Sequence, residues 1–152
     1  MSNGEKQIFD WFEYEYDTEG KQIKEINYTS EGFMTGWSAS EYDALGNKVK
    51  TTVYKSDDSI AYWVEFAYDE KGNMTKQTRY EADGSVSFSL QYRYEYDSMG
   101  NKTKYLAYNA NGDVEQQEEW KYDESGNLNE YINYNGSGVI LEQIEYINII
   151  IE

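Results

Sequence analysis

Tyr42-Asp43-Ala44-Leu45-Gly46-Asn47 is one of five versions of a single phrase. Tyr-Asp recurs at Tyr16-Asp17, Tyr42-Asp43, Tyr68-Asp69, Tyr96-Asp97 and Tyr122-Asp123, with spacings of 26, 26, 28 and 26 residues. Gly follows each Tyr by four positions (Gly20, Gly46, Gly72, Gly100, Gly126), and Asn follows that Gly in every copy but the first, where Lys21 stands. Twelve residues after each Tyr comes another: Tyr28, Tyr54, Tyr80, Tyr108 and Tyr134. Sixteen after it comes Gly32, Asp58, Gly84, Gly112 or Gly138. Self-similarity at a fixed period marks a repeat architecture.

Each copy therefore carries two turn signals, Asp-x-x-Gly and x-x-Asp/Asn-Gly, separated by segments rich in Tyr, Val, Ile, Thr and Trp, which favour strands. Both signals suit a three-residue hairpin loop, a type I turn followed by a left-handed residue. Asp58 departs from Gly but tolerates that conformation better than most residues. Side-chain parity tests the loop length, because a slip of one residue moves every side chain to the other face. Three-residue loops pair Tyr28 with Met34, Tyr54 with Ile60, Tyr80 with Val86, Tyr108 with Val114 and Tyr134 with Ile140. Four-residue loops would pair them with Phe33, Ser59, Ser85, Asp113 and Val139. The first register is apolar in all five copies and is adopted. At the Tyr-Asp turn the same loop pairs Tyr42 with Lys48, Tyr68 with Met74, Tyr96 with Lys102 and Tyr122 with Leu128. One step on, Lys24 is expected to face Tyr14, Lys76 to face Phe66 and Lys104 to face Tyr94, laying lysine stems on rings.

The sequence thus predicts an all-β fold for residues 1–152 as a single repeat domain, with copies starting near 16, 42, 68, 96 and 122. It is an antiparallel meander of ten or eleven strands, the first near 7–16 and the last near 139–150. One face is expected to hold the Tyr rows with Ile26, Leu90, Leu106, Ile132 and Ile144. The other is expected to hold Glu13, Glu15, Glu25, Glu41, Glu65, Glu95, Glu115 and Glu119. The aromatic face needs cover, so the single sheet curls into a barrel-like or spiral form, or takes a partner. The C-terminal strand, residues 144–151, is apolar on both faces and is expected to close the sheet or to associate with a second copy as a homodimer.

Composition narrows the chemistry. The chain has no Cys, no His and no Pro, and a formal net charge of -16. Disulfides and thiolate metal sites are excluded, and the commonest general base is missing. Such an acidic chain is repelled by nucleic-acid phosphates and by anionic membranes, whereas a basic protein partner is attracted. No apolar run is long enough to span a membrane. The first nine residues lack the apolar core of a signal peptide, so the location expected is cytoplasmic if Met1 is the native start, and secreted or surface-exposed if a leader has been removed.

The Tyr-Asp-x-x-Gly-Asn signature, followed by a strand and an Asp-Gly turn, resembles bacterial YD repeats, also called rearrangement hotspot (Rhs) repeats, over residues 14–144. Members of that family are large shells or surface proteins built from long strips of spiralling sheet, sometimes around a toxin. The resemblance implies a structural or recognition role without catalysis by the repeat. The unit here is longer than the family's usual one, Pro is absent, and five copies are too few to enclose a toxin, so the shell function does not carry over. Short repeat proteins of this sort also occur as immunity partners of bacterial toxins.

Two candidate partner-binding sites stand out. Trp11, Trp37 and Trp63 recur at the repeat spacing on the face expected to be polar, where later copies carry Ser89, Gln117 and Gln143. Val53 and Thr51 are expected to flank them across the strands, with Phe9 and Ile23 on the same face. Such a ladder either contacts a protein or glycan or packs beneath a curled end of the sheet. In the C-terminal half Asp113, Glu115, Glu118, Glu119, Asp123 and Glu124 form a negative patch, which either receives a basic partner or is a solvated face. The turn aspartates offer one repeated carboxylate each, where calcium needs several oxygens in one loop, so no metal and no cofactor is expected. Carboxylate pairs for glycoside hydrolysis are not excluded by composition, but the acids recur with the repeat as structural residues do. The function expected is a non-enzymatic binding or scaffold module for a protein partner. The alternative is an acidic inhibitor, of immunity or anti-defence type, that blocks the basic nucleic-acid-binding face of a nuclease or effector.

Overall fold

The computed structural model of the chain describes residues 10–147. They form eleven strands: β1 (Trp11–Tyr16), β2 (Gln22–Tyr28), β3 (Met34–Tyr42), β4 (Lys48–Lys55), β5 (Ile60–Tyr68), β6 (Met74–Glu81), β7 (Val86–Tyr96), β8 (Lys102–Tyr108), β9 (Val114–Tyr122), β10 (Leu128–Asn135) and β11 (Ile140–Glu145). The strands make one antiparallel sheet in chain order, so β1 and β11 have a single neighbour each and the sheet does not close into a barrel. The expected closure through the C-terminal strand is absent, because β11 pairs with β10 alone among the described residues. The parts of the two terminal strands expected over residues 7–9 and 148–151 lie outside those residues. By contact density the chain divides into a first unit, up to Tyr68 together with Thr78–Ser87, and a second, Asp69–Gln77 together with Phe88 onward.

The turns explain the register. In each, the loop-opening residue exchanges backbone bonds across three residues, as where Asp43 N donates to Asn47 O (2.9 Å) and Gly46 N to Asp43 O (3.0 Å). The last loop residue then has positive φ, met by nine glycines and by Asp58 (φ 64°). That conformation costs a residue with a Cβ about 1–2 kcal/mol. The opening side chain completes the loop. Asp43 Oδ1 accepts from Leu45 N (2.9 Å) and Asn47 N (2.8 Å), and Asp43 Oδ2 accepts from the Asn47 amide (3.0 Å). Asp69, Asp97 and Asp123 repeat this with Asn73, Asn101 and Asn127, which is why Asn follows the Gly.

Tyr28–Met34, Tyr54–Ile60, Tyr108–Val114 and Tyr134–Ile140 pair as expected, and so do Tyr42–Lys48, Tyr96–Lys102 and Tyr122–Leu128. One step beyond the loop the expectation fails. A bulge shifts the register there, so Lys24 faces Glu15 rather than Tyr14, and Lys104 faces Glu95 rather than Tyr94. A bulge sets two residues opposite one and so inverts the parity of everything counted past it. Lys24 uses the placement for an ion pair with Glu15 (3.2 Å).

Burial is shallow. No large side chain is fully buried among the described residues. Four of the best-covered side chains recur at one repeat position, Thr52, Thr78, Leu106 and Ile132, each at 9% exposure or less, and Ala107 beside Leu106 joins them. With so little buried among the described residues, cross-strand pairs and the hydrogen-bonded ladder carry the stability. One bond joins successive Tyr-Asp turns. The hydroxyls of Tyr42, Tyr68, Tyr94 and Tyr122 donate to the carbonyls of Gln22, Lys48, Met74 and Lys102, each 20 residues earlier, at 2.8–3.0 Å. Such a bond is worth about 0.5–1.5 kcal/mol. The 28-residue spacing is explained here too. β7 has 11 residues where β3, β5 and β9 have 9, so Tyr94 rather than Tyr96 makes the bond. Tyr96 instead accepts from the Asn73 amide (2.6 Å), beneath the ammonium of Lys71.

Candidate functional site

In the first unit Trp11 lies opposite Tyr28 and Trp37 opposite Tyr54. Residues directly opposite in an antiparallel pair share a face. The tryptophans therefore sit with the Tyr row and Ile26, on the face expected to be aromatic and not on the one expected to be polar. The cause is again the bulge, since Asn27 pairs with Gly36 while Tyr28 pairs with Met34. Glu13 and Glu15 share the tryptophan face as expected, whereas the shift puts Val53, opposite Ser38, and Thr51, opposite Ser40, on the reverse face. Ile23 stands at the β1–β2 register shift, between Lys24 opposite Glu15 and Gln22 opposite Tyr16, and Phe9 lies outside the described residues.

Each tryptophan stacks on its tyrosine. Ring centroids are 4.0 Å apart for Trp11–Tyr28, 3.9 Å for Trp37–Tyr54 and 5.0 Å for Trp63–Tyr80, with interplanar angles of 8°, 9° and 12°. Lys24 lies over Trp37 at 5.1 Å and Lys50 over Trp63 at 5.9 Å. The Trp37 indole N–H donates to Asp58 (2.9 Å), and that of Trp63 to Glu65 (3.2 Å). Asp58 is thus the one loop residue whose departure from Gly has a visible partner. Its carboxylate holds Trp37 in place while its backbone takes the left-handed conformation. The rings are orientated and their outer surfaces remain open, since Trp11 is exposed and Trp37 and Trp63 are half-buried.

The second unit fills the same positions differently. Gln91 lies opposite Tyr108 and Gln117 opposite Tyr134. The longer β7 makes Gln91, and not Ser89, the residue opposite the row tyrosine. Gln117 donates to Glu119 (2.9 Å), which also accepts from the Tyr134 hydroxyl (3.4 Å) and pairs with Lys104 (3.2 Å). Glu118 is on the reverse face, opposite Tyr105, and accepts from Gln116 (2.8 Å). Asp113 closes a turn with Asn109, and Glu115 is exposed at the start of β9. The acidic residues expected to make one patch are divided between two faces and a loop.

That reverse face holds a cluster the sequence reading missed. Tyr105 lies 6.0 Å from Tyr92 and 5.4 Å from Tyr94, and Trp120 lies 5.6 Å from Tyr131 with Lys102 over it at 4.2 Å. Partial burial, then the neighbouring Tyr94, Tyr92 and Glu118, push the Tyr105 phenol up to about 12. Trp120 is off the spacing of the other three tryptophans. The available signal was the alternation Tyr92-x-Tyr94 facing Tyr105 across the turn.

The turn carboxylates are committed to their own loops. Donation by the paired Asn amides holds Asp43, Asp97 and Asp123 below the ordinary carboxylate range. Among the described residues no three acidic side chains converge as metal ligands would.

No protein family and no curated protein matches the sequence. Solved structures do. One is a Tc holotoxin pore of Photorhabdus luminescens, 12% identical with a TM-score of 0.28 over 88% of this chain. Another is the TcdB2–TccC3 crystal structure, 12% identical with a TM-score of 0.25 over 84%. The chain spans 9% of the length of each of those chains.

Proposed function

We propose that this β-repeat module is a non-catalytic binding protein that takes a protein partner on the face carrying Trp11, Trp37 and Trp63. The observation that carries the reading is the set of three Trp–Tyr stacks at one-repeat intervals, with no second layer packed over them among the described residues. Alternate strands lie about 10 Å apart, so the rings present evenly spaced apolar plates. Each is orientated before contact by stacking, by a lysine or by an indole hydrogen bond. Rigid Trp and Tyr side chains lose little entropy on binding and dominate interface energetics.

The acidic-inhibitor reading draws on the net charge of -16. The division of Asp113, Glu115, Glu118 and Glu119 between two faces and a loop weighs against them as one phosphate-like strip. Affinity capture with the immobilised chain, identification of the retained protein by mass spectrometry, and titration of that purified protein separate the two. The aromatic reading expects binding that survives high salt and falls by about 2 kcal/mol or more in Trp37→Ala or Trp63→Ala, with Glu118→Gln unaffected. Binding abolished by salt and by Glu118→Gln, yet indifferent to both tryptophans, would replace it with the inhibitor.

A further inference from the structure

The two edges of the sheet are not equivalent, and the difference lies in what each would meet in a second copy. β11 is exposed along its length and is led in and followed by apolar residues: Val139, Ile140, Leu141, Ile144, Tyr146 and Ile147 are all exposed. Its inner edge is bonded to β10, with Tyr146 N donating to Asn129 O (3.0 Å). The register continues from Asn129–Tyr146 through Tyr131–Ile144 to Asn133–Glu142. Bonded and non-bonded pairs alternate along an antiparallel ladder. The backbone groups of Leu141, Gln143, Glu145 and Ile147 therefore point away from β10, no strand pairs with them among the described residues, and an unpaired edge is a template for another strand. Asn148-Ile149 stands where Tyr-Asp stands in every other copy.

We infer that the occupant of this edge is β11 of a second copy, paired antiparallel about a two-fold axis at Ile144. Faces match across such a pair only when opposed residue numbers sum to an even value, so a few registers compete. Axes at Glu142 or Glu145 set a carboxylate against its own copy, which is destabilising. The axis at Ile144 sets Ile144 against Ile144, Gln143 against Glu145, Glu142 against Tyr146 and Leu141 against Ile147. Both carboxylates then meet a hydrogen-bond donor and the remaining pairs are apolar. On β1 the two central axes fail, because axes at Glu13 or Tyr14 oppose Glu13 to Glu13 or to Glu15, and an axis at Phe12 overlaps only Asp10 to Tyr14 among the described residues, against Leu141 to Ile147 on β11. In a chain of net charge -16, that contrast selects β11.

Sedimentation equilibrium of the full chain over a wide concentration range tests this, with circular dichroism to confirm that each variant keeps its sheet. The wild type is expected to be a reversible dimer. Ile144→Lys, which places two ammonium groups face to face on an already exposed strand, is expected to raise the dimer Kd about tenfold or more. Gln143→Lys is expected to tighten the dimer, most at low salt, because each new lysine meets Glu145 of the other copy. A monomeric wild type, open-ended polymers, or a dimer indifferent to Ile144→Lys would overturn the inference. A dimer weakened by Gln143→Lys would overturn the register, since that residue meets itself when the axis passes through Gln143. None of these outcomes depends on the tryptophan face.

Discussion

The two units share a backbone and both carry rings on the reverse face, but only the first stacks tryptophans on the row tyrosines of the other face. In the first, Trp37 lies on Tyr54 and Trp63 on Tyr80, while the reverse face is small and polar at Ser38 and Ser40 and carries Phe12, Tyr14 and Tyr62 elsewhere. In the second, Gln91 and Gln117 oppose Tyr108 and Tyr134, and the rings gather on the reverse face around Tyr105 and Trp120. Both units keep the Asp-Asn loop clamp, the left-handed Gly and the Tyr hydroxyl bond to the preceding Tyr-Asp turn. The contrast teaches that loops and hydroxyl bonds hold the register, which leaves surface chemistry free to differ from copy to copy.

An exchange of residues between the units breaks the contrast with the largest expected effect. Trp37→Gln gives the first unit the second unit's chemistry. A half-buried indole gives up about 100 Å2 of apolar contact at about 25 cal/mol per Å2, along with its ring stack, so a loss of about 2–3 kcal/mol follows. Gln117→Trp in the second unit is expected to gain under about 1 kcal/mol, because the new stack on Tyr134 comes with loss of the bond to Glu119. Midpoints of denaturant unfolding measure both. Asp58→Gly adds a control. It removes the partner of the Trp37 indole in the wild type but relieves only backbone strain once Trp37 is gone, so it should stabilise the Trp37→Gln protein more than the wild type. Equal effects in the two backgrounds would show that Asp58 and Trp37 are not coupled.

The sequence made the loops legible because loop chemistry is local: Asp, Gly and Asn at fixed offsets determine three residues of backbone. It made the first pair beyond each loop legible by the same argument, as at Tyr28–Met34. Face assignment failed because it is cumulative, and one unseen bulge per turn exchanges the faces for everything counted past it. The repeat spacing therefore identifies Trp11, Trp37 and Trp63 as a set but assigns them to the other face of the sheet from the tyrosines on which they stack. The cluster at Tyr105 was invisible for a related reason. Tyr94 and Trp120 recur 26 residues apart, and so do Tyr105 and Tyr131, but the two offsets meet only through cross-strand pairing.

The longer β7 sharpens the comparison at a smaller scale. Alignment of the repeats makes Tyr96 the equivalent of Tyr42, Tyr68 and Tyr122, but the hydroxyl bond to Met74 O comes from Tyr94 (3.0 Å). Tyr94→Phe is expected to cost about 1 kcal/mol, like Tyr68→Phe in the first unit. Tyr96→Phe is expected to cost less, because the Asn73 amide it leaves keeps the Asp69 carboxylate as acceptor (3.1 Å). Thermal unfolding of the three variants ranks them. A larger loss for Tyr96→Phe than for Tyr94→Phe would return the bond to the residue that the repeat spacing names.

The smallest expected effect is confined to alkaline solution and centres on Tyr105 in the second unit. Burial, then Tyr94, Tyr92 and Glu118, hold the Tyr105 phenol at about 12 against an ordinary value of 10.0. A phenol raised on folding stays protonated in the native chain at pH values where the unfolded chain has already released its proton. The stability it contributes is therefore complete below pH 10 and is lost as pH rises from 10 through about 12. The corresponding positions of the first unit, Glu25 and Thr51, carry no phenol. Spectrophotometric titration of phenolate should show a late step that disappears in Tyr105→Phe and survives Tyr54→Phe. The same Tyr105→Phe substitution should flatten the fall in unfolding midpoint above pH 10. A late step that persists in Tyr105→Phe would assign the perturbed phenol elsewhere, and the reverse-face cluster would lose its claim to be the better-covered aromatic surface of its unit.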